Sequence, residues 1–427
     1  MRILVVSIGT YGDVLPFIGL AAELTKRGHD VTMSTAATFE IAVRRAGVAF
    51  EPLMSAEDYE GLFEHPDFWR PFRGGRRLFS SIAAFFKPTY DFIAERDRAG
   101  ETLVLASSLA LGARVAEEAL GVPTVTVHLT PIMFASRYEP TRVPYMRVPA
   151  WLPKWLKWKL QTGLYSSFIA KLLLADLNAF RATVGLKRLK KIRKWWHARA
   201  GVLLLAPHWF APAQPDWPKR VRQLGFPRAD QFGARFGQLD EPLRAFLDAG
   251  EPPIAVTFGS ARFGSTKLYR AAIEACARIG RRCLVLSHQP LNLPPDLASI
   301  AFAAQYAPLG DVLPRCSALV HHGGVGTTAL AFGAGVPQLI VPMAFDQFDH
   351  AERVRRLGCG DTLPRRRFSA DRAAATLGRL IASGEVAKRC AEAAAACKGV
   401  DAIGEACDLL EAEFCNLSAP RRAAGCV

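Results

Sequence analysis

Residues 318–328, Ala-Leu-Val-His-His-Gly-Gly-Val-Gly-Thr-Thr, leave the chain few ways to fold. The apolar run Ala318-Leu319-Val320 reads as a buried strand. Gly323, Gly324 and Gly326 break it, and Thr327, Thr328 and the small apolar stretch from Ala329 to Ala334 open a helix. A strand that dissolves into glycine and restarts as a helix aims bare backbone N–H groups and a helix N-terminus at one point, where an anion binds. His322 adds a hydrogen bond or a positive charge, and the two threonines add hydroxyl donors. Gly335-Val336-Pro337 then leads into a second apolar strand, Pro337 to Val341, and a loop carrying Asp346 and Gln347. These supply an acceptor and an amide, suited to sugar hydroxyls. A glycine-rich turn alone is common in α/β proteins. Here the histidine, the hydroxyls and the Asp-Gln pair fall in one unit.

The same alternation of buried strand and helix runs through the whole chain, the pattern of an α/β protein with parallel sheets. In the first half, strands are expected at Arg2 to Ile8, Asp30 to Thr35, Thr102 to Ala106, up to His128, and Val202 to Pro207. Helices are expected at Pro16 to Arg27, Phe39 to Ala46 and Leu109 to Leu120. Two inserts, Asp58 to Asp97 and Pro131 to Ala200, break the alternation and are expected to wall one side of a cleft. The second half repeats the alternation from Leu239 onward and closes with helices from Ala370 to about Phe414. The polar, glycine-containing segment from Leu224 to Asp240 is the expected linker. The predicted division is residues 1–223, residues 224–415, and a disordered tail at 416–427.

Half of the 427 residues are hydrophobic, so sizeable cores can form. No apolar run reaches the roughly 18 residues of a membrane-spanning helix. The N-terminal apolar run breaks at Gly9 and meets Asp13 too early for a signal peptide, so it reads as the first strand. Nine cysteines without C-x-x-C pairs fit reduced thiols in a cytoplasmic protein. No zinc spacing and no D-x-D pair is present, so no metal site is expected. The net charge of +15 concentrates between Arg142 and Arg199, where fourteen Lys and Arg face one acid, Asp176. Trp151, Trp155, Trp158, Tyr165, Phe168, Trp195 and Trp196 interleave with them. Such a stretch serves nucleic acid, an anionic membrane surface, or a solvated basic face over core aromatics. No nucleic-acid fold signature accompanies it, and no nucleic-acid partner is expected. Peripheral contact with the inner face of the cytoplasmic membrane remains an expectation for residues 142–199.

The loop after the first strand, Ile8-Gly9-Thr10-Tyr11-Gly12-Asp13-Val14-Leu15-Pro16-Phe17, sits where doubly wound sheets bind ligands. It is not the dinucleotide fingerprint. Asp13 reads either as the N-cap of the helix or as a general base. The helix terminus lowers its basicity, whereas burial or a neighbouring acid raises it. Thr10 and Tyr11 flank it on the acceptor side. His128, at a strand end, is the second candidate base. Ser260, after Gly259 at another strand end, suits a phosphate contact.

The donor stretch, with G-V-P and D-Q at this spacing, resembles the C-terminal motif of two-domain GT-B nucleotide-sugar glycosyltransferases, family 1-like. That resemblance implies two Rossmann-like doubly wound domains facing across a cleft, the N-terminal one for the acceptor. It implies that Ser260, Tyr306, Ala307, His322, Gly324, Gly326, Thr327, Asp346 and Gln347 hold the donor. G-T-x-G-D-V-x-P-F is similar to the loop of the bacterial and sterol branch, where the Asp is the base; plant and animal members carry a His there. Leu309 and Leu330 stand where many members have Gln and a ribose-binding Glu, which is compatible with a deoxythymidine diphosphate donor. Trp209 to Pro218, Tyr306 to Leu309, Asp346 to Asp349 and Leu357 to Gly360 resemble the rhamnosyltransferase catalytic subunit of rhamnolipid synthesis, and the similarity runs from Ile3 to the last helices. The implied activity is inverting, metal-independent and cofactor-free, with the nucleotide-sugar as co-substrate. It moves L-rhamnose from dTDP-L-rhamnose to a hydroxyacyl lipid. The alternatives are a UDP-glucose-dependent enzyme for sterol-like or other hydrophobic natural products, and a non-catalytic nucleotide-sugar-binding activator.

Overall fold

Each buried apolar run becomes a strand of one of two parallel sheets. The structure is a computed structural model that describes residues 1–63, 65–70, 73–143, 148–149, 151–164, 169–227, 239–259, 266–287 and 295–414. The first sheet contains β1 (Arg2–Val6), β2 (Asp30–Ala36), β3 (Ala49–Met54), β4 (Thr102–Ser107), β5 (Thr124–His128), β6 (Gly201–Leu205) and β7 (Val221–Leu224), in the order β3-β2-β1-β4-β5-β6-β7. The second contains β8 (Ile254–Thr257), β9 (Cys283–Leu286), β10 (Ala301–Ala304), β11 (Ala318–His321), β12 (Gln338–Ile340) and β13 (Gly360–Thr362), in the order β10-β9-β8-β11-β12-β13. All pairings are parallel. The central strands are buried on both faces, which is why they read as unbroken Val, Leu and Ile.

β3, β7 and β13 were not expected from the sequence. All three are edge strands with half-exposed side chains, so they carry no continuous apolar run. The expected boundary also needs correcting at the end of the chain. The last helix, Ala402–Phe414, follows the second domain in sequence but packs against the helix Tyr11–Lys26 of the first. Ile403, Ala406, Cys407 and Leu410 enter the first domain's core. Arg27 clamps this helix through Asp408 at 2.6 Å and Glu411 at 2.8 Å, and His29 meets Glu411 at 2.8 Å. The segment leading into this helix also packs closely on the chain leaving β7: a Cβ on Gly225 would lie 2.4 Å from Val400 Cγ1. The predicted linker lies partly, and the predicted tail from 416 wholly, outside the described residues.

Both inserts fold onto the first domain. Phe63, Phe68, Trp69, Leu78 and Phe79 from the first, and Ile132, Met133 and Trp196 from the second, wall one large cavity. The basic stretch divides in two. Trp195 and Trp196 are buried, whereas Trp151 and Trp155 are 81% and 66% exposed. Tyr165 and Phe168 lie outside the described residues. Among the described residues, no helix is long and apolar enough to cross a membrane, and the described cysteines are free thiols.

Leu410 is fully buried against the first domain. Leu410→Ala is expected to lower stability by about 2–4 kcal/mol through the cavity it leaves. A thermal unfolding midpoint equal to the parent's would mean that the last helix does not dock there.

Candidate active site

The strand orders reverse between β1 and β4 in the first sheet and between β8 and β11 in the second. Open parallel sheets bind ligands in the crevice at such switch points, beyond the carboxyl ends of the strands. The two crevices face one another. Between them lies a cavity of about 670 Å³ lined from both domains, within the range for small-molecule sites.

On the first domain's side, helix Tyr11–Lys26 begins directly after the loop from β1. The sequence reading of Asp13 as an N-cap is displaced by three residues. Thr10 is the N-cap and Asp13 the third helical residue, with Pro16 inside the helix. Asp13 folds back so that its Oδ2 accepts the Thr10 N–H at 2.8 Å and the Thr10 hydroxyl at 2.9 Å. Gly9 permits this. Its φ is +150°, and a Cβ there would lie 2.4 Å from Asp13 Cβ. Both Thr10 bonds stabilise the carboxylate, yet burial opposes them and Asp346 across the cavity adds like charge. The outcome is an Asp13 pKa raised to about 6.

On the second domain's side, β11 ends at His321, and helix Val325–Ala334 begins after Gly324. His321 is structural: it is buried, its Nδ1 accepts the Gly323 N–H at 3.2 Å, and its Nε2 donates to Gln338 Oε1 at 3.0 Å. That pairing sets the turn. Gly323 takes φ +92°, and a side chain there would press on Ile340. The next imidazole, His322, faces the cavity between two glycines. A Cβ on Gly259 would lie 2.7 Å from His322 Cε1, and one on Gly324 2.6 Å from Nε2. Burial first, then His350, lowers the His322 pKa to about 4, so it is a neutral hydrogen-bonding group at pH 7 and not a positive charge. Gly324, Gly326 and Thr327 line the cavity as expected from the sequence. Thr328 does not; it is fully buried behind the helix.

Asp346 and Gln347, expected in a loop, instead cap and begin helix Gln347–Arg356. Phe345 before them has φ 52°, a left-handed conformation unusual for a large side chain. Its ring packs on Phe68 at 5.0 Å and Trp69 at 6.3 Å across the domains. Gln347 is partly committed, since its Oε1 accepts the N–H groups of Met343 at 2.8 Å and Ala344 at 3.0 Å. Only its amide hydrogens remain to offer a ligand. Burial raises the Asp346 pKa, partly opposed by His350. His350 joins the domains: its Nδ1 donates to the Gly323 carbonyl at 2.9 Å, and its Nε2 meets the Thr130 hydroxyl at 2.9 Å. Asp349 Oδ1 accepts the Arg142 N–H at 2.9 Å, and Arg353 donates to the Phe210 carbonyl at 3.1 Å.

The cavity therefore gathers Asp13, Thr10, Tyr11, Tyr306, Ala307, His322, Gly324, Gly326, Thr327, Asp346 and Gln347. Ser260 lies outside the described residues. His128 is a correction: it does not line the cavity. Its ring is fully buried, with Nδ1 at 2.8 Å from the Ser108 hydroxyl and Nε2 at 3.0 Å from His197. Burial holds its pKa well below the usual value. The sequence reading overlooked Gln305, Ser108 and Thr130, which line the cavity at the ends of β10, β4 and β5. Their position after a buried strand was the available signal. Leu309 and Leu330 line the cavity as well, on the second domain's side. Among the described residues, no cluster of His, Cys, Asp and Glu is arranged to hold a metal ion.

Comparison with known proteins decides the family. Residues 3–138 match the glycosyltransferase family 28 N-terminal domain, and residues 286–403 match the erythromycin biosynthesis protein CIII-like C-terminal domain. Glycosyltransferase GtfE of Amycolatopsis orientalis is 30% identical over 84% of this chain and 85% of its own. The chain belongs to the GT-B glycosyltransferases. An O-mycaminosyltylonolide 6-deoxyallosyltransferase of Streptomyces fradiae is 29% identical over 96% of this chain and 97% of its own. A sterol 3-β-glucosyltransferase of Arabidopsis thaliana is 28% identical over 96% and 67%. The solved glycotransferase of kitacinnamycin has the same fold, with TM-score 0.75 at 21% identity over 97% of this chain and 99% of its own. So does VinC in complex with dTDP, with TM-score 0.67 at 20% identity over 98% and 99%. The relatives' names span several sugars and acceptors. Membership of the GT-B glycosyltransferases gives the reaction class, and the rhamnolipid subgroup is not singled out.

The raised Asp13 pKa has a sign that can be tested. The ionised form is disfavoured in the fold, so the penalty is absent below pH 4, grows from pH 4 to 6 and is full above pH 6. Asp13→Asn, whose amide oxygen can keep both Thr10 bonds, is expected to stabilise the protein at pH 7 by on the order of 2 kcal/mol and to leave it unchanged at pH 4. Equal or lower stability at pH 7 would contradict the burial.

Proposed function

We propose that the chain is an inverting, metal-independent glycosyltransferase that moves a 6-deoxyhexose, with L-rhamnose favoured, from its dTDP derivative to the hydroxyl of a hydrophobic acceptor. The observation that carries this reading is one cavity with Asp13 on one wall and the glycine turn of the donor motif on the other. A pKa near 6 suits a base working at neutral pH. Asp13 Oδ2 is held by Thr10, which leaves Oδ1 to take the proton from the acceptor hydroxyl. The freed oxygen attacks the anomeric carbon in line, and the bond to the diphosphate breaks. The backbone N–H groups opening helix Val325–Ala334, the Thr327 hydroxyl and neutral His322 receive the departing charge. Asp346 accepts from sugar hydroxyls, and the Gln347 amide donates to them. Ser260 is proposed as a further phosphate contact.

The dTDP preference rests on Leu330, which offers a ribose 2′-hydroxyl no carboxylate. It agrees with solved relatives whose names carry thymidine diphosphate, VinC and the spinosyn rhamnosyltransferase SpnG. The acceptor preference, a hydroxyacyl lipid, rests on the walls of Phe63, Phe68, Trp69, Leu78, Phe79 and Ile132. UDP-glucose transfer to a sterol-like acceptor is the second reading, favoured by the sterol glucosyltransferase relative. Exposed Trp151 and Trp155, with Lys154, Lys157 and Lys159 on the helix Lys154–Leu164, are proposed to rest on the inner face of the cytoplasmic membrane.

Incubation with a panel of dTDP- and UDP-sugars and hydroxyacyl or sterol acceptors should give turnover with dTDP-rhamnose and a product of inverted anomeric configuration. Donor binding without turnover on any acceptor would instead favour a non-catalytic nucleotide-sugar-binding activator. Asp13→Ala should lower kcat by about 10²–10⁴-fold and leave dTDP affinity within a few-fold; intact turnover reduces Asp13 to a helix residue. Trp151→Ala together with Trp155→Ala should abolish sedimentation with anionic vesicles at low salt, and unchanged sedimentation would remove the membrane contact.

A further inference from the structure

Behind the acceptor side of the cavity runs a chain of three side chains that the reaction does not need. Ser108 lies just past the end of β4 and lines the cavity. Its hydroxyl is 2.8 Å from His128 Nδ1, and His128 Nε2 is 3.0 Å from His197 Nδ1. The rings are held hard. His128 stands edge-on to Phe134 at 5.2 Å and to His197 at 5.1 Å, and Phe134 stacks on His197 at 5.2 Å with planes 15° apart. The Trp196 indole donates to the Ser108 carbonyl and fixes the backbone. Neither histidine lines the cavity.

Both imidazoles are neutral at pH 7. Burial lowers His128 well below its usual value, and burial with Arg193, Arg114 and Arg220 lowers His197 to about 4. Three hydrogens, one on the serine and one on each ring, must then serve two links, so one hydrogen is left over at an end. If the serine donates into the chain, the surplus N–H of His197 lies in the positive field of the three guanidinium groups. If His197 Nδ1–H donates to His128, and His128 Nδ1–H donates to Ser108, the lone pair of His197 meets that field. The surplus hydrogen is then the Ser108 hydroxyl's own, on a residue that lines the cavity. The second arrangement wins on electrostatics.

We propose that Ser108 is a fixed hydrogen-bond donor to the acceptor substrate, and that His128 and His197 are positioning residues that keep its hydrogen turned to the cavity. β4 neighbours β1, so Ser108 sits about one strand spacing, ~5 Å, from the loop that carries Asp13. The Ile8 N–H bonds Ser107 Oγ at 3.0 Å and ties the two loops together. Asp13 and Ser108 line the same cavity from these two loops, so an acceptor with its hydroxyl at Asp13 has Ser108 within the same pocket. The group Ser108 selects is a carbonyl or similar oxygen a few bonds from the reacting hydroxyl, as in a 3-hydroxyacyl chain. This deepens the acceptor assignment made above and rests on it.

The test is equilibrium binding, by titration calorimetry of the full chain with dTDP present, of methyl 3-hydroxydecanoate and of decan-3-ol, which keeps the secondary hydroxyl and lacks the carbonyl. The parent should bind the ester about tenfold more tightly, the worth of one well-placed hydrogen bond. Ser108→Ala should remove that ratio and leave the alcohol's affinity alone, Ser108→Thr should keep it, and His128→Phe should reduce it without touching residue 108. A merely structural role for these residues would weaken both ligands alike. The proposal is overturned if the parent shows no preference, if Ser108→Ala keeps it, or if neither ligand binds. Failure of dTDP to bind in the same cell is a separate result and strikes the donor assignment instead.

Discussion

The His350 ring is in contact with both halves of the site at once. Its Nδ1 holds the Gly323 carbonyl inside the donor turn, its Nε2 meets Thr130 at the end of β5, and it lies 3.7 Å from Asp346. The helix bearing it is further bound to the first domain through Asp349 and Arg353. This seam keeps the two switch-point crevices face to face. Facing crevices take these side chains partly out of solvent, and that desolvation moves the titrations: it raises Asp13 and Asp346 and lowers His322. Were the domains apart, Asp13 would be a solvated helix residue with two hydrogen bonds favouring its anion.

The way the cavity handles charge follows from the same desolvation. Arg70, already paired with Asp67, is the one Lys or Arg among the described lining residues. The diphosphate of the proposed donor is then met by oriented dipoles: the N–H groups of the glycine turn, the helix N-terminus and a neutral imidazole. Preorganised dipoles in a water-poor site stabilise a departing anion without reorganising. Glycine is required where those dipoles approach, at Gly259, Gly323 and Gly324, and at Gly9 for the carboxylate opposite. The proposed mechanism needs no more than this.

Much of the framework was legible in the chain. Central strands buried on both faces announce themselves as unbroken apolar runs, and the donor motif fixed β11, its helix and the position of His322. Edge strands β3, β7 and β13 escaped because half-exposed strands carry no such run. The return of residues 402–414 to the first domain escaped because an amphipathic helix does not state which sheet it covers. In the site, the local partners were readable and the remote ones were not. Asp13 could be placed beside a helix start, but its facing acid lies more than 300 residues away in sequence. His128 looked like a base because it ends a strand; whether a strand-end ring turns into the cavity or behind it depends on Phe134 and His197, which come from a different segment.

The central claim is that the two facing domains tune Asp13. The direct measurement is an infrared titration of its carboxylate, read as the difference between the parent protein and Asp13→Asn. The account predicts a midpoint near pH 6 in the free protein, rising further when dTDP adds negative charge to the opposite wall. A midpoint near the ordinary carboxylate value, about 4, unmoved by dTDP, would contradict it.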